Sequence, residues 1–175
     1  MKRQYRLILG TIGVFACLFV LALAAFSLRT TSAAGQAQSG NTAAKPYDES
    51  ANAAKDISAA MAQVKADHKR VLVDFGANWC PDCIVLSKLF EDSAVKPYLD
   101  AHFHVVKVDV GRMNKNQDIN AKYGNPIGKG IPAVVVLDSA EHMIASTQGG
   151  ELESARNATV QDILNYLKKW APDKP

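Results

Sequence analysis

Hydrophobic and polar positions divide this chain into three stretches with different patterns. Residues 7–28 form an unbroken apolar run, residues 30–48 are small and polar without a hydrophobic period, and short apolar segments with helical or strand spacing follow. A helix of the 22 residues in the run spans about 33 Å, which is enough to cross the hydrocarbon core of a bilayer. The pattern therefore predicts a signal peptide or membrane anchor over 1–29, a flexible linker over 30–48 and a folded domain over 49–172.

Apolar spacing within the predicted domain alternates between helical and strand periods. Ile57, Met61 and Val64 have helical spacing, whereas 71–75 is a largely apolar run typical of strands that are buried on both faces. In chain order the pattern predicts a helix over 49–66, a strand over 71–75, a helix beginning at Cys80, a strand over 103–110, a short helix over 116–123, a strand over 133–137, its hairpin partner over 142–147 and a last helix capped by Thr159. This order predicts an α/β fold with a mixed central sheet flanked by helices, preceded by one N-terminal hydrophobic helix.

The net charge of +3, from 20 lysine and arginine residues against 17 aspartate and glutamate residues, originates at the N-terminal end. Lys2, Arg3, Arg6 and Arg29 flank the apolar run, and without residues 1–34 the chain has 16 basic and 17 acidic side chains. A nucleic-acid partner is therefore not expected, because such binding needs a concentrated basic face. The positive flank stays in the cytoplasm, so we expect the domain in the periplasm or another extracytoplasmic space, membrane-anchored or secreted.

The length of the apolar run favours an uncleaved anchor, which would hold the protein to the membrane through residues 7–28. Residues 32–34 (Ser-Ala-Ala) provide the small side chains that signal peptidase requires, so cleavage stays an open alternative. Cys17 lies inside the run, which leaves Cys80 and Cys83 as the cysteines of the predicted domain.

The segment 80–83 (Cys-Pro-Asp-Cys) is the motif that carries chemistry, and taken alone it is ambiguous. A Cys-x-x-Cys pair is either half of a zinc site or a redox pair at the start of a helix. No second Cys-x-x-Cys occurs in the sequence. His102 and His104 could add nitrogen ligands, but histidines that flank an apolar strand are more often ordinary strand-end residues. The redox alternative is favoured, and we expect a site without a metal or another cofactor.

The redox interpretation also explains the residues around the pair. A thiolate attacks a disulfide, and the N-terminus of a helix lowers the pKa of a thiol through its free N–H groups and its dipole. Cys80 would lie at that end with Trp79 beside it, and Cys83 would follow one turn later on the same side. Asp74, in the buried strand before the pair, is predicted to accept the proton of Cys83, because burial raises the pKa of a carboxyl group.

Residues 73–83 (Val-Asp-Phe-Gly-Ala-Asn-Trp-Cys-Pro-Asp-Cys) resemble the active-site segment of the thioredoxin family, and residues 130–132 (Gly-Ile-Pro) resemble its second signature. The likeness covers about residues 49–170. The resemblance implies that Cys80 is the nucleophile, Cys83 the resolving thiol and Asp74 the buried acid. It implies a substrate-binding surface made by Trp79, Pro81, Asp82, Ile131 and Pro132. Within that surface, the backbone of Ile131 would bind a substrate strand and Pro132 would be cis.

Three features depart from the family pattern. Pro-Asp stands between the cysteines instead of the usual Gly-Pro, as in small thioredoxin-related proteins with a Trp-Cys-Pro-Asp-Cys site. Gly76 stands where many members carry tryptophan, which predicts a more open edge of the site. The lysine that the family often places near its buried acid aligns with Val105, which leaves open whether Lys107, two residues later, takes over that role.

The sequence predicts a monomeric thiol–disulfide oxidoreductase that acts on protein disulfides outside the cytoplasm, as a reductant or an isomerising partner. Asp82 would disfavour the Cys80 thiolate by like-charge repulsion, whereas strong oxidants depend on an unusually stable thiolate. A reductant in an oxidising compartment must be re-reduced, and we expect a membrane thiol electron donor. Two alternatives stay open: a copper metallochaperone that uses the same cysteines with His102 or His104, and a non-catalytic binding module with this fold.

Overall fold

The computed structural model describes residues 45–152 and 154–173 of the chain. The predicted signal peptide or anchor over 1–29, the N-terminal hydrophobic helix and most of the predicted linker lie outside the described residues. Among the helices that the structure does describe, none has both the length and the apolar character needed to cross a membrane.

One mixed sheet organises the folded domain, with its four strands in the order β2-β1-β3-β4. The central strand β1 (Arg70–Gly76) pairs in parallel with β2 (Phe103–Asp109) and antiparallel with β3 (Ala133–Leu137). The strand β4 (Met143–Ser146) pairs antiparallel with β3 at the edge of the sheet. The mixed sheet predicted from the hairpin is confirmed.

Helices cover both faces of this sheet. In the described residues they are α1 (Ala53–Asp67), α2 (Pro81–Phe90), α3 (Lys96–His102), α4 (Gln117–Lys122) and α5 (Val160–Trp170), with 3₁₀ helices at Pro126–Lys129 and Ala155–Asn157. α1 contributes Ile57, Met61 and Val64 to the core on one face, as their spacing predicts. α2, α3 and α5 pack against the other face.

The predicted strands and helices of the domain are present, with ends that differ from the predicted bounds by up to four residues. α5 begins directly after Thr159, whose hydroxyl accepts from the N–H of Asp162 in a capping box. The helix α3 is absent from the prediction. It has seven residues, a proline in its first turn and one buried side chain, Leu99, so it carries no apolar period to detect.

The side chains of β1 alternate between the two faces of the sheet, and this alternation decides which of them lie on the side of α2. Val71, Val73 and Phe75 belong to the core cluster shared with α1. Side chains of a strand point alternately to opposite faces, so Leu72 and Asp74 face the side on which α2 packs. β1 ends two residues after Asp74, and a short loop leads directly into α2. A buried carboxyl group and a helix N-terminus therefore lie on the same side of the sheet.

Candidate active site

The N-terminus of α2 holds both cysteines of the domain. Cys80 is the N-cap residue, and its Sγ accepts a hydrogen bond of 3.2 Å from the N–H of Cys83. Pro81 occupies the first turn, where its missing N–H leaves no intrahelical bond unmade. The two cysteines form a disulfide, with their Cα atoms 5.3 Å apart. The helix start predicted at Cys80 is confirmed to within one residue.

The loop before β3 brings the second signature to the cysteine pair. The Ile131–Pro132 peptide bond is cis, and the carbonyl oxygen of Ile131 lies 3.5 Å from the Sγ of Cys80. Pro132 is buried, while Ile131 is half-buried and packs against the cluster that contains both cysteines. Two motifs that are far apart in the chain thus meet at the Cys80 sulfur.

Trp79 forms an aromatic surface next to this sulfur, and 45% of the residue is exposed. Its indole N–H donates a hydrogen bond of 2.6 Å to the carbonyl oxygen of Gly111, and the guanidinium of Arg112 lies 5.4 Å from its ring centroid. These contacts hold the ring while leaving surface for a partner to touch. Pro81 is also exposed, whereas Asp82 is buried, so the predicted substrate-binding residues differ in their access to a substrate.

Asp74 is fully buried in β1, on the side of α2. Burial raises the pKa of its carboxyl group to about 6, although a hydrogen bond from Tyr47 and the charge of Lys107 both act in the opposite direction. The Oδ2 atom accepts a 3.0 Å hydrogen bond from the Tyr47 hydroxyl, and no described group bonds to Oδ1. A carboxyl group with this pKa and a free oxygen is suited to proton transfer near neutral pH.

Tyr47 is a residue of this site that the sequence did not indicate. It lies in the stretch 30–48 predicted as a flexible linker, yet it is 1% exposed and shares a buried cluster with Cys80 and Cys83. The side chain of Asn78 accepts a 3.1 Å hydrogen bond from the backbone N–H of Tyr47 and donates one of 2.8 Å to its carbonyl oxygen. The sequence signal that could have indicated this role is that Tyr47 is the single aromatic residue in a stretch of small and polar residues.

The open edge predicted at Gly76 is wrong, because Tyr47 fills that space. A Cβ atom added at Gly76 would overlap the phenol ring. The absence of a large side chain at position 76 therefore does not leave a gap. Another part of the chain supplies the bulk, and the glycine is required so that the tyrosine can approach the strand.

Lys107 is the cross-strand neighbour of Asp74 in the parallel pair of β1 and β2. Val105 lies opposite Leu72 instead, so the predicted alignment of the lysine position with Val105 is wrong. The Nζ atom of Lys107 donates a 2.6 Å hydrogen bond to the hydroxyl of Ser87 on α2. The positive charge of the lysine favours the ionised form of Asp74 without a direct hydrogen bond to it.

The carboxylate of Asp82 is bound by Arg156, which lies 74 residues later in the 3₁₀ helix Ala155–Asn157. The guanidinium donates to both carboxylate oxygens, at 2.9 Å and 2.5 Å, and the backbone N–H of Arg156 donates at 2.9 Å. The hydrogen bonds from Arg156 hold the pKa of Asp82 below its usual value. The repulsion that Asp82 alone predicts for the Cys80 thiolate is therefore compensated by a positive charge.

Arg156→Gln is expected to raise the pKa of the Cys80 thiol in the reduced chain by roughly half a pH unit, because the Asp82 charge then lacks its partner. The pH dependence of iodoacetamide alkylation measures this pKa, in a chain that carries Cys17→Ser so that only the pair reacts. Asp82→Asn with Arg156→Gln removes both charges and is the matched control, for which we expect a value close to the original. An unchanged pKa in Arg156→Gln alone would contradict the compensation.

His102 and His104 lie at the opposite end of the sheet from the cysteines. They flank the first residue of β2, which pairs with the first residue of β1, whereas Cys80 follows the last residue of β1. His102 bonds to a carbonyl oxygen of α3, and the Nε2 of His104 lies 2.8 Å from a carboxylate oxygen of Asp67. Within residues 45–152 and 154–173, no group of three or more His, Cys, Asp or Glu side chains is placed to hold a metal ion. The histidines therefore do not assist the cysteine pair.

A disulfide-capable Cys-x-x-Cys pair at a helix N-terminus, facing a cis proline on an α/β sheet, defines a thiol–disulfide exchange site. A family model described as Thioredoxin-like matches residues 52–139. The chain belongs to the thioredoxin-like family.

Comparison with known proteins agrees with this family. The chain is 36% identical to a thioredoxin from Buchnera aphidicola subsp. Baizongia pistaciae over 101 residues, which cover 57% of this chain and 81% of that protein. It is 38% identical to a thioredoxin from Mycoplasmoides gallisepticum over 79 residues, 45% of this chain and 70% of that protein. The crystal structure of a disulphide isomerase from Xylella fastidiosa Temecula1 is similar with a TM-score of 0.71 and 41% identity, covering 73% of this chain and 98% of that one. These relatives support a thiol–disulfide oxidoreductase in general terms.

Proposed function

We propose that this chain reduces or rearranges disulfides of protein substrates outside the cytoplasm, with Cys80 as nucleophile and Cys83 as resolving thiol. The observation that carries the proposal is the position of the Cys80 sulfur, at the N-terminus of α2 and 3.5 Å from the Ile131 carbonyl oxygen. The helix N-terminus supports a thiolate, and the half-buried Ile131 borders it with backbone that a substrate strand can bind. Trp79, in the loop between β1 and α2, adds exposed aromatic surface next to Cys80.

The proposed reaction proceeds in two exchange steps from the reduced chain. The Cys80 thiolate attacks a substrate disulfide, so one sulfur of the substrate leaves as a thiolate and the other forms a mixed disulfide with Cys80. Asp74 then accepts the proton of Cys83, and the Cys83 thiolate attacks the Cys80 sulfur. The bond between Cys80 and the substrate breaks as the Cys80–Cys83 bond forms. The substrate gains two electrons and two protons in total, and the chain ends in the disulfide state.

The proposed direction is reduction or isomerisation because the site contains little beyond the helix N-terminus that would stabilise the thiolate further. Pro81 and Asp82 bring no cation to the first turn of α2, and the guanidinium of Arg156 is already bound by Asp82. A strong oxidant depends on an unusually stable thiolate. Isomerisation is included because the relative from Xylella fastidiosa is described as a disulphide isomerase.

The proposal extends to the surroundings of the domain. The apolar run 7–28 and its basic flank support an extracytoplasmic location, either anchored in the membrane or secreted after cleavage. A monomeric domain that reduces substrates in an oxidising compartment needs a source of electrons, and we assign that role to a membrane thiol donor. The nearly neutral charge of the chain after residue 34 supports protein rather than nucleic-acid substrates.

The redox potential of the Cys80–Cys83 pair tests the proposed direction. After equilibration of the full chain in glutathione redox buffers, we expect a potential between about −270 and −200 mV, the range of thioredoxins and glutaredoxins. The same chain is expected to accelerate insulin reduction by dithiothreitol over the rate with dithiothreitol alone. A potential near about −120 mV, that of a strong oxidant, would contradict the direction. A lack of acceleration would contradict the activity itself.

A further inference from the structure

Tyr47 reaches the redox site from the pre-helix segment, which we define as residues 45–50, before α1. The Asn78 side chain binds both backbone polar groups of Tyr47, and it also donates a 3.0 Å hydrogen bond to the carboxylate of Glu49. Asn78 lies two residues before Cys80 in the loop between β1 and α2. The pre-helix segment is therefore attached to the same loop that carries the nucleophile.

The phenol of Tyr47 connects the buried acid with the cysteine pair. Its hydroxyl donates to the Oδ2 of Asp74 at 3.0 Å, and its side chain forms one buried cluster with Cys80 and Cys83. Burial and the neighbouring carboxylate raise the pKa of this phenol, so the hydroxyl stays protonated and acts as a donor to Asp74. A donor of this kind stabilises the ionised carboxylate relative to the protonated acid.

We propose that Tyr47 is a positioning residue of the resolving step, which orients the Asp74 carboxylate on one oxygen and leaves Oδ1 to accept the proton of Cys83. This role rests on the proposed function of the cysteine pair. Oδ1 is buried and makes no hydrogen bond to any described group, so it is the oxygen available for proton transfer. The phenol also fills the space beside Gly76, which shields the carboxylate from solvent on that side.

None of the other described groups near Asp74 is shown to bind its carboxylate directly. From β2, Lys107 contributes a positive charge, but its Nζ atom is bonded to Ser87 of α2. From β3, the register partner of Asp74 is the apolar Val134. From α2, Cys83 shares the buried cluster of Tyr47, and it is the proposed proton donor. The hydroxyl of Tyr47 is thus the group that holds the carboxylate directly.

Tyr47→Phe keeps the ring and removes the hydroxyl, and it is the variant that tests the proposal. In full chains that carry Cys17→Ser, pre-reduced protein is mixed with a disulfide-bonded peptide, and the release of the second peptide thiol is followed from pH 5 to pH 8. The acid limb of this pH profile is expected to move to higher pH by about one unit or more, because the carboxylate loses a hydrogen bond. Carbon-13 titration of the Asp74 carboxyl group in the oxidised chain is expected to move in the same direction.

Tyr123→Phe is the matched control, because Tyr123 is also buried and donates a 2.8 Å hydrogen bond to a carboxylate, that of Glu141, away from the cysteine pair. Its pH profile is expected to match that of the unaltered chain. Adding Tyr47→Phe to Asp74→Asn is expected to produce no further change, since the acid limb is then already absent. If Tyr47→Phe does not fold, 3-fluorotyrosine placed at position 47 keeps the ring in place and makes its hydroxyl a stronger donor, so the acid limb must move to lower pH.

The two readouts separate the failure of this role from the failure of the proposed function. Unshifted pH profiles and carboxyl titrations in a folded Tyr47→Phe chain that still reduces the peptide would overturn the role of Tyr47. No peptide reduction by the unaltered chain would overturn the proposed function, whatever the carboxyl titration shows.

Discussion

Cys83→Ala is expected to leave the chain covalently attached to its substrate. Cys80 still occupies the N-cap of α2 and attacks a disulfide, but the sulfur that lies one turn later is gone. The mixed disulfide between Cys80 and the substrate then has no internal thiol to break it, so it persists until an external thiol arrives. Catalysed turnover with insulin is expected to fall to the rate of dithiothreitol alone, and non-reducing gel electrophoresis is expected to show a stable adduct.

Cys80→Ser is the matched control for this experiment, because it removes the attacking sulfur and keeps the resolving one. We expect it to be as inactive as Cys83→Ala with insulin but to form no adduct. Both variants carry Cys17→Ser, so that no third thiol resolves or mimics the complex. Adduct formation by Cys80→Ser in place of Cys83→Ala would reverse the proposed roles of the two cysteines.

Asp74→Asn is expected to remove a pH dependence of folding stability that the unaltered chain shows. The carboxyl pKa is about 6 in the folded chain against an ordinary value of 3.8, chiefly because of burial. The folded state therefore binds more protons at Asp74 between these pH values, so the contribution of this group to stability is fully present below about pH 4 and is lost as the pH rises through about 6. The loss amounts to about 3 kcal/mol at neutral pH. Asparagine does not ionise, so the variant should lack this fall in the free energy of unfolding between pH 4 and pH 7.

Urea unfolding of both chains at pH 4, 5, 6 and 7 measures this difference. Asp56→Asn, which removes an exposed carboxylate of α1, is the control and should keep the slope of the unaltered chain. The same Asp74→Asn chain is expected to resolve mixed disulfides about a hundredfold more slowly at neutral pH, since it lacks the proton acceptor for Cys83. A variant that keeps both the stability slope and the resolution rate would show that Asp74 has neither role.

The fold was largely predictable because its strong signals are local. The buried strands 71–75 and 133–137 contain only one polar residue, Asp74. The last helix has an N-cap residue and a clear apolar period in its sequence. The helix α3 was missed because a short helix with one buried side chain leaves no period in the sequence. The register that places Lys107 opposite Asp74 was also missed, because strand pairing is set by contacts between distant segments.

The site was predictable only where its residues belong to motifs. Cys80, Cys83, Asp74 and Pro132 were singled out as candidates from two short segments, and the structure brings the two segments together. The sequence did not indicate Arg156. A single arginine that lies 74 residues from Asp82 looks like an ordinary surface residue in the sequence, because only the fold brings the two together. The guanidinium of Arg156 offsets the negative charge of Asp82 next to the cysteines. The sequence interpretation counted the charge of Asp82 alone.

The attachment of Tyr47 to Asn78 also has a mechanical consequence. Both backbone hydrogen bonds lie at the point where the chain enters the described domain, with the phenol ring seated behind them. Tension applied to the chain before Lys45 would act on these two hydrogen bonds before it acted on the strands of the sheet. A pull strong enough to break them would withdraw the ring from the carboxyl group while the disulfide stayed in place. The junction that would take up this tension and the redox site thus share Tyr47.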